Sequence, residues 1–129
     1  MIERIKALSA KFYPQIRALR EQIHAEPELS FEEFNTAQKV CEVLQKAGIS
    51  FQSGVAKTGI VAQIVGTKKG SNAQKCVLLR ADMDALPVDE KSSVSYASKV
   101  AGKMHACGHD GHTAALVGAA LILNELKSE

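Results

Sequence analysis

The chain has 129 residues, 46% of them apolar and 23% charged, with sixteen basic and fourteen acidic side chains for a net charge of +2. This is the make-up of one globular domain or a piece of a larger one. The signs are interspersed with no basic stripe, which argues against a nucleic-acid partner. The longest apolar stretch, residues 114–123, is too short to span a bilayer and is interrupted by Gly118, so no membrane partner is expected. The N-terminus is charged and lacks an apolar leader, and three cysteines cannot all pair with one another. Together these predict a cytoplasmic location and free thiols.

Ile2, Ile5, Leu8 and Phe12 recur at helical spacing. Pro14 suits the first turn of a new or kinked helix that continues through Ile16, Leu19 and Ile23 and ends at Pro27. Ser30 followed by Glu33 reads as a capping box for a second helix, with Phe34, Ala37, Val40, Cys41 and Leu44 on one face and Gly48 as its stop. Residues 49–53 then read as a short strand, 57–59 as a turn and the β-branched run 60–65 as a second strand. A polar loop is predicted over 67–74. The apolar run 76–79 (Cys-Val-Leu-Leu) predicts a strand buried on both faces, with Cys41 and Cys76 as core thiols. Residues 88–103 are polar and irregular, and a long helix is predicted from Gly111. The order helix, helix, three strands, loop, helix is that of an opening α/β layered domain whose sheet would keep a raw edge.

Ligands of open α/β sheets bind beyond the carboxyl ends of strands, which is where Asp82 and Asp84 follow the run 76–79. A solvated turn before Pro87 is the alternative for that pair. The stronger signal is Met104-His-Ala-Cys-Gly-His-Asp-Gly-His-Thr113. Three of the four histidines fall there within eight residues, beside a cysteine and an aspartate. Thiolate and imidazole are preferred ligands of zinc-like ions. Cys107 and His109 can turn to one ion if the backbone between them is not helical, which Gly108 permits. Asp110 suits a helix cap or an orienter of a histidine, and His24 suits a structural role at a helix C-terminus.

Three motifs occur in order: His24-Ala-Glu-Pro-Glu-Leu-Ser30 with Glu33, Leu79-Arg-Ala-Asp-Met-Asp-Ala-Leu-Pro87, and the loop from Met104 to Thr113. With the turn Lys57-Thr58-Gly59, they resemble the N-terminal part of the metal-dependent amidohydrolases. That group includes hippurate hydrolase, bacterial N-acyl-amino-acid amidohydrolases and plant auxin-conjugate hydrolases, within the aminoacylase/carboxypeptidase metallopeptidases. The resemblance implies a three-layer α/β/α, zinc-exopeptidase-like catalytic domain. Residues 1–129 would be its N-terminal part, without the C-terminal half and without the smaller dimerisation domain of the homo-oligomeric relatives.

The resemblance further implies two divalent metal ions (zinc, manganese, cobalt or nickel), with Cys107 and His109 as ligands and Asp84 as the catalytic residue supporting the metal site. Asp82 falls where many relatives have a ligating histidine, and His24, His105 and His112 receive no role. The implied reaction is hydrolysis of the amide bond of a small N-acyl or N-aroyl amino acid. The family's general-base glutamate falls beyond Glu129, so the chain alone is expected to be inactive. The alternative is a catalytically incomplete fragment acting as a metal-binding or interaction module. A metal-independent cysteine nucleophile, Cys107 with His105 or His109 as base, is a third class.

Overall fold

The computed structural model describes residues 1–68 and 75–129. Helix α1 (Ile2–Ala25) is a single helix that runs through Pro14. A proline removes its own N–H bond to the preceding turn and crowds the carbonyl four residues back, and here the helix runs on despite both. The fully buried side chains of α1 lie in its C-terminal half, Leu19 and Ile23 among them, with Phe12 and Ile16 partly buried against the same core, whereas Ile2 and Ile5 are exposed.

Helix α2 (Phe34–Lys46) begins where expected but is not capped by the Ser30–Glu33 box. Instead the Glu28 carboxylate accepts the backbone N–H groups of Asn35 (3.0 Å) and Thr36 (2.8 Å), along with the Thr36 hydroxyl (2.9 Å). A carboxylate there satisfies two orphan donors and lies at the positive end of the helix dipole. Ser30 and Glu33 are used elsewhere: Glu33 accepts the Thr58 hydroxyl at 2.6 Å, and Ser30 donates to Asp84. The stop is as predicted. Gly48 adopts φ 66°, its N–H reaches the Gln45 carbonyl (3.0 Å), and the Ile49 N–H reaches that of Leu44 (3.0 Å).

Strands β1 (Ser50–Val55) and β2 (Gly59–Gln63) form an antiparallel ribbon, with Ser50 opposite Gln63 and Ser53 opposite Ile60. Helix α3 (His109–Leu126) packs along α1, and Gly118 allows the approach: a Cβ there would meet the Ile16 Cγ1 at 3.3 Å. The core joins Leu19 and Ile23 of α1, Val40 and Leu44 of α2, Ile49, and Val117 and Leu121 of α3. Burial of side chains this size supplies most of the driving force for the compact state. Among the described residues, no helix is long and apolar enough to cross a membrane.

One predicted strand is not formed. Residues 76–79 have no regular structure, with Val77 and Leu78 82% and 87% exposed, and Cys76 is exposed instead of core. A strand needs neighbours for its N–H and C=O groups. Among the described residues, β1 and β2 pair only with each other. Cys41 is half-buried on α2. The predicted polar loop 67–74 lies mostly outside the described residues, which resume at Lys75.

Candidate metal centre

Three irregular segments meet at the start of α3. The Ala85 N–H donates to the Glu28 carbonyl (2.7 Å), and Leu86 and Met104 exchange two backbone bonds (2.9 and 3.0 Å). Gly108 then turns the chain with φ 80°, a left-handed conformation that a side chain would disfavour. Its carbonyl accepts the N–H groups of Gly111 (3.0 Å) and His112 (3.1 Å). The helix therefore begins at His109, two residues earlier than predicted.

This turn places the His109 ring against Asp84, with Nδ1 at 2.8 Å from Oδ1 and 3.1 Å from the Asp84 carbonyl. An ionised carboxylate can only accept, so Nδ1 carries the hydrogen, and Nε2 is the nitrogen left for a metal ion in the neutral ring. The other Asp84 oxygen accepts the Ser30 hydroxyl at 2.6 Å. That hydroxyl first, and the His109 ring second, hold the Asp84 carboxyl below its ordinary value against the opposing effect of burial. Cys107 is exposed on the same loop.

Of the other sequence candidates, Asp82 pairs with Arg80, and its backbone carbonyl accepts the Thr113 hydroxyl (2.9 Å). The exposed His112 ring stands 5.8 Å from that of His109. Asp84, His109 and Thr113 line one end of an open groove of about 820 Å³ whose walls include Leu44, Ile60 and Val117.

Behind the loop lies a polar cluster that the sequence did not single out. Asp110 is fully buried, and its Oδ2 accepts His24 Nδ1 (2.8 Å) and Arg20 Nε (3.0 Å). Asp110 thus orients a histidine, as one expectation held, but that histidine is His24, not a candidate ligand. The other His24 nitrogen lies 3.2 Å from Glu90 Oε1. Glu90 also accepts the Ser92 hydroxyl and the Ser98 N–H. These two donors in turn, then His24, pull its carboxyl down to about 2. Tyr96 meets the His24 ring edge-on at 5.3 Å and lies under the Arg20 guanidinium. His105, 4% exposed, has its ring 6.2 Å from that of His24. Neither His105 ring nitrogen has a hydrogen-bond partner among the described residues, and burial pushes its pKa down.

The donor chemistry fits a divalent ion. His109 is anchored at Nδ1 by a carboxylate, which is how metal-bound imidazoles are held, and an accessible thiol lies two residues before it. The fit is partial, since among the described residues no group of three or more His, Cys, Asp or Glu is arranged to hold a metal ion. A carboxylate-backed histidine and a cysteine at a helix start, beside a groove, are the kinds of groups that part of a hydrolytic metal centre would use.

Comparison with known proteins narrows that class. Residues 78–129 match the model of peptidase family M20/M25/M40. Across 98% of its length the chain is 46% identical to an N-acyl-L-amino acid amidohydrolase of Geobacillus stearothermophilus, covering 33% of that protein. Across 95% it is 46% identical to thermostable carboxypeptidase 2 of Saccharolobus solfataricus, covering 30%. Its fold matches the crystal structure of the Bacillus subtilis YXEP protein, described as a dinuclear metal binding peptidase from the M20 family. That match has a TM-score of 0.83 and 39% identity, over 92% of this chain and 32% of the other. The chain is similar to M20-family proteins over nearly all of its length and spans about a third of the length of the relatives it matches.

Proposed function

We propose that residues 1–129 form the N-terminal part of an M20 catalytic domain and hold the first ligands of a two-metal site that hydrolyses the amide bond of N-acyl amino acids. The observation that carries this reading is the Asp84–His109 contact beside Cys107, in a chain 46% identical to an N-acyl-L-amino acid amidohydrolase. Cys107 and His109 would hold metal. Divalent ions bound there would polarise the scissile carbonyl and make a bound water acidic. Asp84 acts through His109: by accepting the Nδ1 hydrogen it fixes the tautomer and aims Nε2 outward. Ser30 in turn holds the Asp84 carboxylate in place. The proton transfers of hydrolysis are assigned to none of these residues. The partner is a small N-acyl amino acid in the cytoplasm, with no nucleic acid or membrane involved, and the whole protein is a homo-oligomer.

Cobalt(II) titration of the chain tests the ligands. A thiolate-to-cobalt absorption band should appear, and Cys107→Ser should abolish it; a band that survives that change overturns the assignment. Hydrolysis of N-acetyl and N-benzoyl amino acids, compared with that of peptides bearing free N-termini, tests the substrate class. A second reading, a metal-binding or interaction module without turnover, is favoured by the lack of a third converging ligand among the described residues. Metal binding with no hydrolysis would support it.

A further inference from the structure

We propose that His24 is a positioning residue for the candidate metal loop: gripped between Asp110 and Glu90, it fixes the backbone that carries Cys107 and His109. The inference rests on the metal-site reading for its functional meaning, but not for its geometry. His24 stands in the last turn of α1, far from the loop in sequence. Its two ring nitrogens face carboxylates from two different segments, Asp110 in the first turn of α3 and Glu90 in the irregular stretch before the loop. Carboxylates only accept, so the pairing is complete when both nitrogens donate. Arg20 adds a guanidinium on Asp110, so that carboxylate answers to two side chains of α1.

Packing alone does not call for such a group. A buried ion cluster is often no more stabilising than well-packed apolar side chains of the same volume. What the cluster adds is direction. Asp110 cannot rotate without giving up both His24 and Arg20, and it shares a peptide bond with His109. His109 is therefore fixed from two sides, its ring by Asp84 and its backbone by Asp110. Glu90 holds the far side of His24, and the Ser98 N–H bond to Glu90 (2.5 Å) anchors that segment in turn.

His24→Leu fills the space without the two bonds, and Glu90→Gln weakens only one side of the grip, which keeps the test informative if the first variant does not fold. Both are compared with the unaltered chain under conditions where circular dichroism shows them folded. Amide hydrogen exchange should quicken across 104–112 while α2 and β1 keep their protection. Cobalt(II) affinity should fall by about tenfold to hundredfold, as is typical when an outer partner of a metal ligand is lost, with an altered thiolate band. Unchanged loop exchange in both variants overturns the proposal. Cobalt affinity that stays level while exchange quickens overturns its functional half. If the unaltered chain binds no cobalt, it is the metal-site reading that fails, and loop exchange still decides whether His24 positions the loop.

Discussion

The two sides of the segment from Asp82 to His112 differ sharply. Toward α1 lies a cluster of charges, largely paired and, apart from the half-exposed Arg20, buried: Asp110 is 0% exposed, yet meets His24 and Arg20. Toward the groove lie apolar side chains in the open, with Val77 and Leu78 more than four-fifths exposed. Polarity alone would have assigned the two sides the other way round. The charged side is closed because side chains from α1, α3 and residues 88–98 complete one another. The apolar side stays open because a strand is completed by backbone partners, and among the described residues none reaches it.

The contrast can be broken most forcefully at Asp110. Asp110→Ala leaves His24 and Arg20 without their shared partner and should cost about 3–5 kcal/mol in urea denaturation. A loss below about 1 kcal/mol would mean that the cluster is no more than a surface network. Glu28→Ala should cost about 1–2 kcal/mol through the lost α2 cap, measured in the same way, with Ser30→Ala leaving the α2 amides protected.

Acid should erode the charged side specifically. Glu90 titrates near 2 in the folded chain against an ordinary 4.5, so its contribution is fully present above 4.5. That contribution is lost as pH falls from 4.5 toward 2. Glu90→Gln should flatten that part of the stability–pH curve, and an unaltered slope would assign the acid sensitivity to other groups. The smallest effect belongs to the groove side. Leu78→Lys should change stability by less than about 0.5 kcal/mol, as for any exposed position, whereas a buried strand would be badly disrupted.

These differences also mark what the sequence could reveal. The helices were legible because Leu19, Ile23, Val40 and Leu44 follow a 3.6-residue period, and the stop at Gly48 because a left-handed turn has few alternatives. The Ser30–Glu33 box was misread because those side chains answer to Asp84 and Thr58, distant residues that outcompete the nearby helix. The apolar run 76–79 declares a need for burial but not who meets it. The candidate ligands were visible as a cluster of residue types. The His24–Asp110–Glu90 grip was not, since neither period nor motif links side chains so far apart in the chain. A lone histidine in a helix's last turn gives no sign of its two partners.

His24 and Asp110 stand 86 residues apart, and that separation has a kinetic consequence. Closing so long a loop costs entropy that is recovered only once both ends have arrived, so contacts of this kind form late. During synthesis α1 emerges well before α3, so Leu19 and Ile23 lack their Val117 and Leu121 neighbours until α3 docks. The ion pair at the end of α1 and the apolar contacts along it thus both wait on the same late arrival, that of α3.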